Sequence, residues 1–342
     1  MLRWFGANQV PQKFGPCVAT LGNFDGVHIG HQTVLAKLVE RGLALNQPTV
    51  AVTFDPHPST IHRPDKPAPA IQSLSQRLDL LATHQLDAAL VLPYTAQFAQ
   101  MTPAEFAQRY LVECLKVQQI VVGLDIQFGK GNQGNRYTLR RIGEQLGFAV
   151  ETIDDVGEQC EGCRPRWSSS AVRLLLGEGD VAEAGRILGR DHRLTGTVVP
   201  GDGRGRQLGF PTANLGGQLQ GMVPADGLYA GWLTVLDPHD HLANRAEASN
   251  AIGRKKTVVY PAAISIGVNP TFGGRQRRVE AHVPGRDDLE LYGQTVAVDF
   301  VARLRHTLRF ANSQALVSQM ADDVTDALAV LRAQRSGSAG LA

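Results

Sequence analysis

Thr20-Leu21-Gly22-Asn23-Phe24-Asp25-Gly26-Val27-His28-Ile29-Gly30-His31 decides how the first half of this 342-residue chain is read. The short apolar run 17–21 leads into it, and helical spacing at Leu35, Leu38 and Val39 follows, so the stretch spans a strand, a glycine turn and a helix start. Gly22, Gly26 and Gly30 let the main chain turn sharply and approach a phosphate closely. The helix presents unpaired N–H groups and the positive end of its dipole. His28 and His31, three residues apart at that helix start, can face the same way. Two imidazoles there can donate to phosphate oxygens as charge develops during phosphoryl-group displacement. The HxxH spacing also admits a metal, but no nearby glutamate or third histidine completes a zinc-protease pattern. Two unrelated surface histidines are the remaining alternative.

Outward from this stretch, strand-like and helix-like segments alternate. The run 49–54 is β-branched and stops at Asp55-Pro56-His57-Pro58, and 73–83 places Leu74, Leu78 and Leu81 on one helical face. The run 88–92 is the next buried strand. Thr102-Pro103-Ala104-Glu105 is a capping box with proline at the first helical position, opening a helix towards Leu115. The apolar runs 120–122 and 150–153 complete the set. This rhythm predicts a Rossmann-like, doubly wound parallel sheet, covered on both faces and binding ligands at the carboxyl ends of its strands.

Beyond about residue 190 the pattern changes. Strands are expected at 195–199, 229–236, 257–266, 279–283 and 295–304, separated by Gly/Pro/Asp-rich turns with no helices between them. A small antiparallel β-barrel fits this better than a second parallel sheet. Helical periodicity returns over 312–333 through Leu316, Met320, Val324, Leu328 and Leu331. The polar stretch 238–256 reads as a long exposed hairpin and no internal repeat is present. The expected domains are 1–188 and 189–335, with a small, polar, disordered tail at 336–342.

Gly201-Asp202-Gly203-Arg204-Gly205 in the second half is a glycine–arginine loop whose amides can cradle phosphates. It lacks GK[ST] and is no Walker A loop. A bare loop explains the glycines, but Thr212 and Asn214, just after Pro211, are suited to holding Mg²⁺ and phosphate oxygens.

Bulk properties exclude several classes. The length suggests two domains, and a formal charge of +2 is too mild for a nucleic-acid or membrane surface. Arg275, Arg277 and Arg278 cluster, which a solvated or phosphate-facing loop accounts for. No run reaches the about 18 apolar residues of a membrane span. Gly6, Asn8, Gln9 and Pro11 break up any signal-peptide core. Four cysteines make no disulfide framework, which points to the cytoplasm, and Cys160 and Cys163 form a CxxC with no second half to complete a zinc site.

The stretch from Gly22 to His31 resembles the signature of the nucleotidyltransferase superfamily, whose members attack the α-phosphorus of a nucleoside triphosphate. Three further segments resemble its FAD-synthetase branch: Thr53-Phe54-Asp55-Pro56-His57-Pro58, Val122-Gly123-Leu124-Asp125-Ile126-Gln127-Phe128-Gly129 and Ser168-Ser169-Ser170-Ala171-Val172-Arg173. The resemblance implies that Gly22, Phe24, Asp25 and Gly26 bind the nucleotide, and that His28 and His31 stabilise its α- and β-phosphates. Asp125 would help hold the nucleotide or its metal. Ser169, Ser170 and Arg173 match a second phosphate motif, with Arg173 facing the leaving pyrophosphate. Trp167 and Ser170 replace the family's usual Ile/Val and Thr there. Pro56, His57 and Pro58 would shape the flavin side, with a purely structural proline turn as the alternative.

In the second half, Gly209-Phe210-Pro211-Thr212-Ala213-Asn214, Ile266-Gly267-Val268-Asn269-Pro270-Thr271-Phe272-Gly273 and Val279-Glu280-Ala281-His282 resemble riboflavin kinases, which have a small β-barrel. Glu280 would take the proton from the ribityl 5′-hydroxyl, a base that an alcohol needs and the phosphate of FMN does not. Val283-Pro284-Gly285-Arg286 departs from the family and is expected to reshape a loop near the flavin. Together the resemblances imply the bifunctional prokaryotic enzyme. It would phosphorylate riboflavin with ATP to FMN, then transfer AMP from ATP to FMN to give FAD and pyrophosphate, with Mg²⁺. Its partners would be small molecules (riboflavin, FMN and ATP), with no nucleic acid or membrane; a transient homo-oligomer is compatible with the sequence, which leaves the oligomeric state open. Two alternatives compete: a nucleotidyltransferase for another phosphorylated substrate with an accessory barrel, and a non-catalytic flavin-binding regulator.

Overall fold

Strands buried on both faces are apolar along their whole length, and such runs build the sheet of the first half. The computed structural model describes residues 1–154, 167–201, 203–236, 258–268 and 277–339. Its contacts divide the chain into Met1–Ser169 and Ser170–Ala342. In the first unit β1 (Leu2–Phe5), β2 (Cys17–Leu21), β3 (Thr49–Asp55), β4 (Ala88–Pro93), β5 (Val117–Gly123) and β6 (Ala149–Ile153) run parallel in the order β1-β4-β3-β2-β5-β6. Chain order reverses beside β2. The connections after β2 and β5 therefore leave in opposite directions and open a crevice at the carboxyl end of the sheet.

The α-helices among the described residues of the first unit are α1 (Ile29–Leu45), α2 (Ser59–His62), α3 (Leu74–Thr83), α4 (Pro103–Phe106), which runs on as a π-helix over Ala107–Cys114, and α5 (Arg136–Leu146). Alternate residues of β2 serve opposite faces: Val18 packs with Leu35, Leu38, Leu78 and Leu81, while Cys17, Ala19 and Leu21 pack with Phe54, Phe106 and Leu111. The expected capping box at Thr102 forms with Glu105, and a second joins Ser73 to Gln76.

In the second unit β7 (His192–Val199), β8 (Thr212–Gln220), β9 (Gly227–Val235), β10 (Val259–Val268), β11 (Arg277–His282) and β12 (Thr295–Arg305) close an antiparallel barrel in the order β10-β11-β8-β7-β12-β9. Closure pairs every edge. Gly231 makes one of these pairings possible. A Cβ there would lie 2.2 Å from the Asp299 carbonyl oxygen and 2.5 Å from Ile264 Cδ1. Gly231→Ala should destabilise the barrel by about 3 kcal/mol, from overpacking against backbone that cannot yield. An unchanged denaturation midpoint would refute this account of the β9–β12 contact.

Two boundaries differ from the sequence expectation. The contact division falls at Ser169/Ser170 instead of 188/189, because α6 (Ser169–Glu178) and α7 (Val181–Leu188) pack with the barrel. Ala225 N donates to Leu176 O at 2.9 Å, and Arg303 Nη1 donates to Glu178 O at 2.9 Å. After the short α8 (Arg204–Gln207) and the barrel strands, α9 (Ser313–Ala339) runs past residue 335 into the segment expected to be a disordered tail. Just before that segment the helix is anchored. Trp232 Nε1 donates to Gln334 Oε1 at 3.0 Å, and the Arg335 guanidinium lies 4.6 Å from the Trp232 ring centre. The expected hairpin at 238–256, together with Cys160, Cys163, Arg275 and 269–273, lies outside the described residues.

Candidate active sites

The first site grows from the end of β2. His28 caps α1, its Nδ1 accepting from His31 N at 3.4 Å, and the two rings stack with centres 3.7 Å apart and planes 22° from parallel. The shared orientation expected from their spacing is present. Phe24 meets His31 edge-on at 5.2 Å. Gly26 takes a positive φ of 88°, as a sharp turn requires. Gly22 and Gly30 work differently from the expectation, for neither has a positive φ. A Cβ on Gly22 would lie 3.1 Å from Phe24 Cζ, and one on Gly30 3.2 Å from the His28 ring. These two glycines make room for the loop's own rings.

Asp25 is 2% exposed, and its carboxylate accepts from Ile71 N (3.1 Å to each oxygen) and Gln72 N (3.2 Å). Its main-chain carbonyl accepts from Ser169 Oγ at 2.7 Å, within the first unit. Asp125 is exposed in the turn after β5, the strand next to β2. Ser170 is exposed and Arg173 half-buried on α6, which groups with the second unit. Pro56, His57 and Pro58 form the turn from β3 into α2: His57 Nδ1 accepts from Ser59 N at 3.2 Å, and Thr60 Oγ1 donates to His57 O at 2.8 Å. Nearby, His62 Nε2 and Tyr94 OH lie 2.7 Å apart beside Phe54 and Phe98.

Arg77 escaped the sequence reading. It is 5% exposed on α3 and donates from Nη1 to Asn23 O (2.7 Å) and from Nη2 to Phe54 O (2.9 Å). Burial lowers its pKa, while the Asp25 and Asp55 carboxylates act in the other direction. The signal was available, since Arg77 falls three residues after Leu74 and four before Leu81, inside the apolar stripe.

The second site lies where β8 and β11 pair, with Asn214 opposite Glu280 and Thr212 opposite His282. Residues two apart share a face, so Thr212 and Asn214 project together. Thr212 Oγ1 donates to Glu280 Oε2 at 3.4 Å. Both line a cavity of about 200 Å³ whose remaining wall includes Leu308, Phe310, Leu316, Met320 and Val324. His282, 8% exposed, pairs through Nδ1 with Pro211 O at 2.8 Å and meets Phe210 edge-on at 5.4 Å. Gly201 lets the chain pass close to the Asn214 carboxamide, for a Cβ there would lie 2.3 Å from Nδ2. Gly205 likewise abuts Phe210 O, Gly203 has φ 70°, and Arg204 opens α8.

A second depression, of about 50 Å³, shares Thr212 and is lined by Arg206, Arg286, Leu289, Leu291 and Tyr292. The departing Val283–Arg286 loop lines this second depression and not the cavity that holds Glu280. Asp288 holds the Arg286 guanidinium through both carboxylate oxygens (2.7 and 2.9 Å) and pushes its pKa up. Among the described residues no group of three His, Cys, Asp or Glu could hold a metal. An open groove of about 740 Å³ between Gln97–Glu113 and Ile142–Leu146 contains none of the candidate site residues.

Residues 10–164 match the FAD synthetase family and residues 188–331 the riboflavin kinase family. The chain is 34% identical over 316 residues to the bifunctional riboflavin kinase/FMN adenylyltransferase of Escherichia coli K12, with 92% of each chain covered. It is 35% identical over 325 residues to the protein of that name in Pseudomonas fluorescens, covering 94% of this chain and 95% of the relative. A solved structure described as a macrolide-efflux protein from Streptococcus pneumoniae superposes with a TM-score of 0.79 at 27% identity, covering 94% of this chain and 97% of that one. Among the described residues no helix is long and apolar enough to cross a membrane. With two family matches in tandem and a third of positions identical over nine-tenths of its length, the chain belongs to the family of bifunctional riboflavin kinase/FMN adenylyltransferases.

Proposed function

We propose that the protein makes FAD from riboflavin in two ATP-dependent steps, the barrel acting as kinase and the parallel-sheet unit as adenylyltransferase. The observation that carries the kinase half is a carboxylate, Glu280, bonded to Thr212 in the wall of a cavity that also has an apolar side and in which the other carboxylate, Asp323, is paired with Arg305. The ribityl chain would enter there with its 5′-hydroxyl at Glu280, which takes the proton as the oxygen attacks the γ-phosphorus of ATP and ADP leaves. Thr212 borders both depressions, so hydroxyl and triphosphate can approach it from opposite sides. Mg²⁺ prefers hard oxygen donors and keeps several waters and phosphate oxygens, so the Thr212 hydroxyl and the Asn214 carboxamide oxygen suit it without an acidic cluster. When bound it would neutralise charge on the transferring phosphates. Gly201, Gly203, Arg204 and Gly205 would cradle those phosphates.

FMN then serves as the nucleophile in the first unit. Its phosphate oxygen attacks the α-phosphorus of a second ATP and pyrophosphate leaves, so no base is needed. Because His28 Nδ1 accepts from His31 N, neutral His28 carries its proton on Nε2 and can donate from there. His31, stacked on it, would donate alongside. Ser169, Ser170 and Arg173 would hold the departing pyrophosphate, Asp125 the nucleotide or its metal, and Pro56, His57 and Pro58 the flavin side. The same reading places the enzyme in the cytoplasm, where the free Cys17 and Cys114 stay reduced.

Chromatography of products after incubation with riboflavin, ATP and Mg²⁺ tests the whole scheme. FMN should form first and FAD follow. Failure to form FMN would favour a transferase for another phosphorylated substrate, and flavin binding without ATP turnover would favour a regulator.

A further inference from the structure

The loop between β2 and α1 holds a conformation that its own residues disfavour. Phe24 and Val27 sit at φ 50° and 40°, and the second is a β-branched residue for which positive φ is a marked outlier. Such conformations persist only where the surroundings over-determine them. Here the restraints run both ways between the loop and α3. From the loop, the buried Asp25 carboxylate accepts from the main-chain N–H groups of Ile71 and Gln72, just before α3. From α3, Arg77 donates to Asn23 O at the start of the loop and to Phe54 O at the end of the neighbouring β3. Thr53 Oγ1 adds a second donor to Asn23 O at 3.1 Å.

A buried guanidinium is a costly way to fill space. The nearest Asp55 carboxylate oxygen is 3.9 Å away, and Arg77 Nε has no partner among the described residues. An aliphatic side chain would pack there without that penalty. What it could not do is reach two carbonyls on two strand ends at once, which the planar fork of arginine does.

We infer that Asp25 and Arg77 form a reciprocal latch that sets the loop, and through it the His28–His31 pair, in the geometry adenylyl transfer needs. Arg77 is thus a positioning residue, acting through the main chain of Asn23. The inference rests on the adenylyltransferase reading of the first unit. Val27 immediately precedes His28, so relaxation of the loop would displace the stacked rings, and a misplacement of about 1 Å can lower a rate about a hundredfold.

The test uses the full chain carrying Arg77→Lys or Thr53→Val, assayed separately for FAD from supplied FMN and for FMN from riboflavin. Lysine keeps the charge but replaces the fork with one ammonium, and valine keeps the shape of threonine but removes its donor. In Arg77→Lys, kcat for FAD formation should fall about ten- to a hundredfold, with KM for FMN within about twofold of the parent. Thr53→Val should lower the same kcat about threefold. The ring C–H resonances of His28 and His31 should move in both variants, and FMN formation should be unchanged. The latch is overturned if Arg77→Lys keeps the parent kcat, if only KM rises, or if Thr53→Val leaves kcat and the histidine resonances unaltered. A parent enzyme unable to form FAD would instead remove the reading of the unit, so the two failures are distinct.

Discussion

Glu280→Gln should lower the rate of FMN formation by about 10²- to 10⁴-fold, the range in which a general base contributes, while FAD formation from supplied FMN continues at the parent rate. The substitution is chosen for what it leaves. Glutamine has the shape of glutamate and still offers Thr212 Oγ1 an acceptor, so the β8–β11 pairing and the cavity wall stay as they are. What disappears is the ability to take a proton from an alcohol. The loss should fall on kcat with little change in KM for riboflavin, since the apolar wall formed by Leu308, Phe310, Leu316, Met320 and Val324 is untouched. A variant that still phosphorylates riboflavin at a tenth of the parent rate or better would show that another group is the base.

How far these features were legible depends on whether local chemistry or distant packing decides them. The β2–loop–α1 unit stood out because glycines, an apolar run and a helical stripe coincide within a few turns of chain. The barrel strand β8 did not: Gly216, Gly217, Gln218 and Gln220 erase its alternation, and only its pairing with β7 and β11 makes it a strand. Thr212 and Asn214 were read as ligands following Pro211 with no strand expected there, and they share one face of β8. Asp25 entered as a nucleotide contact only through the family resemblance. Its main-chain partners, Ile71 and Gln72, are far along the sequence and leave no local trace. The end of α9 shows a related effect. Gln334 and Arg335 leave no local sign in the sequence that Trp232, from another element, holds them.

His28→Ala should lower FAD formation from FMN by about 10²- to 10³-fold, the usual effect of removing one donor aimed at developing phosphate charge, and leave FMN formation intact. Alanine also removes the cap of α1, where His28 Nδ1 accepts from His31 N, a loss of about 1 kcal/mol in stability. His28→Asn separates the two effects, because asparagine caps helices as well as any residue and carries no imidazole. If donation to phosphate is the role of His28, both variants should lose the adenylyl-transfer rate to a similar extent, although only the alanine variant lowers the unfolding midpoint. Recovery of the rate in His28→Asn would mean that the cap, and through it the placement of His31, had been the contribution all along. The stacking of the two rings at 3.7 Å sharpens the comparison. Removing one ring leaves the other without its neighbour, so His31→Ala combined with His28→Ala should cost less than the sum of the single losses.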